Sequence, residues 1–234
     1  MTNSFKYQEF ADILDQEYYP KYPESRFKLH ASIIDEYVNT AKPATDKPKL
    51  ILMAGCYGSG KSHTISHLKN TNMFNIDDFV YIDQDKIRFK IPEINQYISD
   101  DPWTAGEKTQ IESGYLSEII QRKILSMGSN LIVDGSLHDD KWYSQVFIPY
   151  IRKSYPKYEI AIFYVKADWT NVLERCWDRC EKTKRCIPLR KLKTIYHKIP
   201  NSVNNLSKLV DVVVEIDNNI KPDIIKNSTI QQID

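Results

Sequence analysis

The chain has 234 residues, 41% of them hydrophobic, enough to bury one core of ordinary size with an appendage but not two large domains. Lys and Arg total 32 against 31 Asp and Glu, so no overall basic field exists to draw the protein onto nucleic acid or an anionic membrane. The opening MTNSFKYQEF has no apolar run of signal-peptide length and no stretch approaches the roughly 20 apolar residues of a membrane span, so a cytoplasmic protein without a membrane partner is expected.

In chain order, residues 5–40 carry Phe10, Ile13 and Leu14, then Phe27, Leu29, Ile33, Ile34 and Tyr37, at helical spacing. Two helices broken near the Pro20–Pro23 stretch are expected, followed by a polar linker with two prolines. This makes residues 1–46 an N-terminal helical extension and linker. Its aromatics, Tyr7, Phe10, Tyr18, Tyr19, Tyr22 and Phe27, fit either a protein-binding surface or a helical cap on the core.

From residue 47 the order becomes strand, loop, helix, repeated. Strands are expected at Lys49–Ala54, Phe79–Asp83, Leu131–Asp134, Glu159–Val165 and Val210–Ile216. Between them helices are expected from Gly60 to about Asn70, over Thr104–Met127 and Lys141–Lys153, and from Trp169 to about Lys182, with a helix-rich stretch to Leu209. Nearly continuous apolar strands alternating with helices predict an α/β fold, a parallel sheet of about five strands covered on both faces. Residues 219–234 read as a loosely held tail.

The loop after the first strand, Gly55-Cys56-Tyr57-Gly58-Ser59-Gly60-Lys61-Ser62, satisfies every fixed position of the phosphate-loop pattern of P-loop NTPases. Its glycines let successive amides and a helix N-terminus, with His63 just inside it, converge on phosphate oxygens. Lys61 is expected on the β- and γ-phosphates and Ser62 on Mg²⁺. ATP or GTP is therefore the expected cofactor, with nothing in the sequence to choose between them. An Asn-Lys-x-Asp element that would mark a guanine-reading GTPase is absent, and no insert suggests a motor ATPase. A small kinase fits better.

Two strand ends supply candidates for the acceptor side, because open α/β sheets bind ligands at their carboxyl edges. Asp83 and Asp85 end the second strand: Asp85 could take a proton from an attacking hydroxyl, Asp83 could serve the metal, and Arg88 follows. An acidic turn capping the next helix is the plain alternative. At the third, Asp134 could hold metal or acceptor, while Ser136 and His138 could touch substrate. Thr104 and Glu112 open the long helix and are counted among acceptor-facing candidates.

These parts in order resemble the zeta-toxin-like kinases, phosphate-loop enzymes whose bacterial members phosphorylate the sugar 3′-hydroxyl of UDP-N-acetylglucosamine. The resemblance runs from about Lys49 to Asn218. It rests on the glycine loop, Ile82-Asp83-Gln84-Asp85 with Pro92-Glu93, Asp101-Pro102-Trp103-Thr104, Val133-Asp134-Gly135-Ser136, the arginine-rich Glu174–Arg190 and Ile199-Pro200-Asn201-Ser202. It implies Asp85 as general base, Asp134 and Ser136 in the acceptor pocket, and two arginines on the phosphates: Arg175 or Arg179, and Arg185. The sequence departs from the family where Glu-Gly-Thr becomes Asp134-Gly135-Ser136 and where an arginine often stands in place of His138. A carboxylate one methylene shorter reaches about 1.5 Å less, which changes the hydrogen bond it can make to a sugar. A small-molecule acceptor, such as a nucleotide sugar, is expected. A polynucleotide 5′-hydroxyl kinase would want a basic channel that the near-neutral charge does not suggest, and a nucleotide-binding interaction module, a toxin-like effector whose N-terminal helices engage an antitoxin or another protein, is the third reading. The cysteines Cys56, Cys176, Cys180 and Cys186 are read as reduced, small packing residues rather than a metal cluster.

Overall fold

A computed structural model describes residues 4–229. The N-terminal segment forms a short helix α1 (Gln8–Ala11) and the longer α2 (Glu24–Val38). The core continues with β1 (Lys49–Ala54), α3 (Lys61–Asn70), β2 (Phe79–Asp83), α4 (Gln84–Arg88), α5 (Ile94–Asp100), α6 (Ala105–Lys108), α7 (Gln110–Ser126) and β3 (Asn130–Asp134). After them come α8 (Asp140–Trp142), a π-helical turn (Tyr143–Phe147), α9 (Ile148–Ser154), β4 (Glu159–Lys166), α10 (Trp169–Thr183), α11 (Leu189–Leu206), β5 (Val212–Asp217) and β6 (Asp223–Thr229).

The strands form one sheet in the order β2-β3-β1-β4-β5-β6. Every pairing is parallel except β5 with β6. Alternation along β1 assigns the two cores: Leu50, Leu52 and Ala54 pack with α7, α9 and α11, while Ile51 and Met53 pack with Ile65 and Leu68 of α3. Both faces are thus covered, which is why the strands read as unbroken apolar runs. Among the described residues no helix is long and apolar enough to cross a membrane.

Several expectations need correction. The sheet has a sixth strand, because residues 223–229 lie antiparallel on β5, with a register irregularity at Glu215/Ile216. The segment has little to bury, but β5 would otherwise offer an open row of backbone donors and acceptors. The helix expected over Thr104–Met127 is broken at Thr109 into α6 and α7, where the Arg88 guanidinium donates to the Gly106 carbonyl and to Thr109 Oγ1. The helix over Lys141–Lys153 widens to a π-turn just before Pro149, whose ring leaves no room for the carbonyl four residues back in a regular helix. The short helices α4 and α5 were not expected.

The N-terminal segment is a cap. Phe5, Tyr7, Phe10, Leu14 and Tyr19 are buried, Tyr22 and Phe27 pack against them, and Tyr19 donates to Glu118 of α7 at 2.6 Å. Arg26 of α2 reaches Glu93 at 2.7 Å and Glu112 at 2.7 Å, and His30 bonds the same Glu112 oxygen at 2.7 Å.

Candidate active site

The chain leaves β1 into the glycine loop, and the geometry there demands glycine twice. Gly58 and Gly60 have φ of +78° and +86°, and a Cβ on Gly60 would stand 2.0 Å from Asn218 Nδ2. Asn218, just past β5, is buried and donates to the Ser59 carbonyl at 2.8 Å, with the Gly60 carbonyl at 3.4 Å. It therefore pins the turn that aims the loop amides. Asn218→Ala should weaken nucleotide binding about tenfold, the value of one to two lost hydrogen bonds, and titration calorimetry with ATP will measure it.

Lys61 opens α3 and donates to the loop's own carbonyls, Gly55 O at 3.1 Å and Cys56 O at 3.3 Å. Its Nζ lies 3.9 Å from Asp134 Oδ1. Ser62 donates to Asp134 Oδ2 at 3.1 Å, and the Tyr81 hydroxyl donates to the same oxygen. A cavity of about 440 Å³ opens here, walled by Tyr57, Gly58 and Gly60 of the loop, Lys61, Ser62 and His63 of α3, the strand-end residues Asp83 and Asp134, Asp85 of α4, and Ser136, His138, Arg175 and Arg179. The strand register places Asp83 opposite Asp134.

Metal binding can be tested on this donor set. Burial, then the neighbouring Asp134 and Asp85, push the Asp83 carboxyl above its usual range. Ser62, Asp134 and Asp83 are oxygen donors of the kind Mg²⁺ takes. Among the described residues no three His, Cys, Asp or Glu side chains form a protein-only cage. Mg²⁺ does not need one, since it usually keeps waters and shares substrate phosphates with one or two carboxylates. The set fits, although Asp83 also caps α4, accepting from the amides of Asp85 at 2.8 Å and Lys86 at 3.4 Å.

Asp85 has the most unusual surroundings. Arg185 donates to its Oδ2 at 2.6 Å, Arg179 donates to the same oxygen, and Arg88 Nε reaches Oδ1 at 3.3 Å. Burial alone would raise this carboxyl, but Arg179, Arg185 and Arg88 outweigh it and hold its pKa at about 2. Arg185 is 5% exposed and its Nε has no hydrogen-bond partner. Arg175 sits apart at the cavity mouth, donating to Asn219 O at 3.1 Å and Gly58 O at 3.5 Å. Both helix arginines therefore line the cavity, with only Arg179 on the acid.

Other site expectations are corrected. Glu112 faces α2, where Arg26 and His30 occupy it, because its turn of α7 packs under the cap. Thr104 immediately precedes α6 and donates to Asp101 Oδ2 at 2.8 Å, outside the cavity wall. Cys56 and Ser59 belong to the loop, but their side chains turn inward: the Cys56 thiol points to the Leu192 carbonyl and is pushed up to about 12 by burial. Arg88 is 3% exposed and braces α4 against α6 and α7 as well as lining the cavity. The cysteines are not all reduced, since Cys180 and Cys186 form a disulfide with Cα atoms 4.5 Å apart. It forms because α10 ends at Thr183 and Lys184 takes a left-handed turn, φ +56°, bringing the chain back on itself.

Sequence reasoning missed Tyr81, Gln84, Gln110 and Asn218. Asn218 was within reach of the rule that found Asp134, since it directly follows a strand's carboxyl end. Tyr81 was not, because a tyrosine in an apolar strand looks like packing.

The glycine loop, the strand order and the carboxylates at the strand tips define a phosphate-loop protein with the fold of the kinases of that class. The zeta toxin family model matches residues 34–229, and the chain belongs to the zeta toxin family. Among solved structures it is similar to one from the PezAT chromosomal toxin-antitoxin system of Streptococcus pneumoniae, with 18% identity, a TM-score of 0.70 and coverage of 88% of this chain and 83% of that one. A structure of AvrRxo1-ORF1:-ORF2 with ATP shares 13% identity at a TM-score of 0.62, covering 88% of this chain and 68% of that one. A kinase-like protein of Chloroflexus aurantiacus shares 14% identity at a TM-score of 0.51, covering 75% of this chain and 90% of that one. No curated protein matches the chain in sequence.

Proposed function

We propose that the protein transfers the γ-phosphate of ATP or GTP to a hydroxyl of a small metabolite. The observation that carries this reading is the shared cavity: phosphate loop, strand-tip carboxylates and arginines enclose one space of about 440 Å³. Phosphoryl transfer needs mostly positioning and charge neutralisation, and these groups supply both. Lys61 exchanges its bonds to Gly55 O and Cys56 O for the β- and γ-phosphates. Ser62 and Asp134, with Asp83 beside them, would hold Mg²⁺, which neutralises phosphate charge when bound. Arg179 and Arg185 shift from Asp85 towards the transferred group, and Arg175 serves the nucleotide at the mouth. Asp85, ionised at neutral pH, then takes the proton of the acceptor hydroxyl.

UDP-N-acetyl sugars are the first acceptors to test, given the family, with Asp134, Ser136 and His138 setting which sugar hydroxyl is reached. A polynucleotide acceptor would need an open basic track, whereas Arg88 and Arg179 of the cavity wall are bound to Asp85, as is Arg185. A protein partner is a companion proposal, supported by the neighbours, one from a toxin-antitoxin system and one in an ORF1:ORF2 complex. The test incubates the protein with γ-labelled ATP or GTP and a metabolite extract. One compound gaining a phosphoryl group is expected. Label released only as inorganic phosphate, or carried by oligonucleotides, would overturn the metabolite reading.

A further inference from the structure

The loop after β3, whose Ser136 and His138 are read above as facing the acceptor, holds the two side chains against each other in a way that contact with an acceptor does not by itself require. Ser136 Oγ lies 2.6 Å from His138 Nδ1, and both side chains line the cavity that contains Lys61 and Ser62. Between them Leu137 adopts φ +57°, a left-handed conformation that a branched side chain takes only at a cost of about 1–3 kcal/mol. The surroundings hold it there: Leu137 is 2% exposed, and buried Ser202 of α11 donates to its carbonyl. The Ser136 carbonyl accepts from the Gly55 amide at 3.2 Å, which ties this loop to the first residue of the phosphate loop. Burial of Leu137 and these two hydrogen bonds thus keep a hydroxyl, a ring nitrogen and the phosphate cradle together against the backbone cost. The cavity wall carries two other hydroxyl side chains, Ser62, engaged with Asp134, and Tyr57.

We propose that Ser136 is itself a phosphoryl acceptor, so that the nucleotide-loaded protein, lacking a metabolite, phosphorylates its own β3 loop with His138 as proton acceptor. This rests on the nucleotide-binding reading above. Ser136 Oγ attacks the γ-phosphorus and forms an O–P bond as the bond from that phosphorus to the β,γ-bridging oxygen breaks. The nucleoside diphosphate leaves with that electron pair, and the hydroxyl proton ends on His138 Nδ1. Around the ring, burial together with Lys198 and Lys191 of α11 lowers the imidazole pKa against the opposing Asp139, and in the tautomer with its proton on Nε2 the Nδ1 lone pair faces the Ser136 hydroxyl. The product places a phosphate two residues from Asp134 in the acceptor pocket, where like charge and bulk oppose entry of a further acceptor.

The experiment incubates the full chain with Mg²⁺ and γ-labelled ATP or GTP, without acceptor, and maps label by peptide mass spectrometry, with calorimetry reporting nucleotide binding in parallel. One phosphoryl group on the peptide containing Ser136 is expected, at a rate independent of protein concentration. It should be absent from Ser136→Ala and formed at least about tenfold more slowly in folded His138→Gln, the low end of what a positioned base contributes being larger still. A wild-type protein that binds nucleotide yet leaves Ser136 unmodified overturns this proposal and spares the nucleotide reading. Labelling that rises with protein concentration, or that survives at the wild-type rate in His138→Gln, also overturns it. A wild-type protein that binds neither nucleotide removes the reading on which it stands.

Discussion

Replacing Lys61 by alanine will reduce phosphoryl transfer by at least ~10²-fold, the effect of removing one preorganised charge from a developing anion, while leaving the fold intact. The side chain is 12% exposed, and its polar partners are loop carbonyls and, at 3.9 Å, Asp134. It occupies the first position of α3, where alanine is at least as good a helix former. Nucleotide affinity should fall as well, because nothing else in the loop carries a positive charge. Single-turnover transfer measured beside a thermal melt separates the two effects. A variant that melts as wild type and transfers at the wild-type rate would remove Lys61 from the mechanism.

Asp85→Asn is the second large effect, and it has two parts. Transfer should fall ~10²- to 10⁴-fold through loss of the proton acceptor. Nucleotide affinity should hold or rise, since Arg179 and Arg185 are released to meet phosphates. Stability should fall too, because three guanidiniums would face one another without their anion. The folded carboxyl titrates at about 2 against an ordinary 3.8, so its contribution is fully present above pH 3.8 and is lost as pH falls through about 2. Its size is roughly 2 kcal/mol, reduced somewhat because the side chain remains 23% exposed. Urea unfolding at a series of pH values will show the gap between wild type and variant near its maximum at pH 5 and narrowing towards pH 2. A constant gap would mean that packing, not charge, is what the substitution disturbs.

Arg179 and Arg185 give the arrangement its functional sense. Both pair with the acid that the proposed mechanism uses as a base, and a polyanionic nucleotide would compete for them. Binding of phosphates would then free Asp85 at the moment an acceptor can use it. The disulfide between Cys180 and Cys186 closes the short loop that carries Arg185, restricting where this guanidinium can go.

The sequence by itself determined whatever is written contiguously in the backbone. The turn from Gly55 to Ser62 was legible because its chemistry lies in main-chain amides whose geometry neighbouring glycines dictate. The strands were legible because burial on both faces demands unbroken apolar runs, and Asp85 and Asp134 followed as acids at their ends. Only the tertiary structure decided which side chains meet. Asp85 and Arg185 are 100 residues apart, and Asn218 reaches Ser59 across 159. Glu112 looked like an acceptor contact until Arg26 of the cap was seen to hold it, and residues 223–229 became a strand only because β5 offered an open edge. The physical reason is common to these cases: an ion pair or a strand ladder is a property of two partners, and the energy that selects it exists only once the fold has brought both out of water.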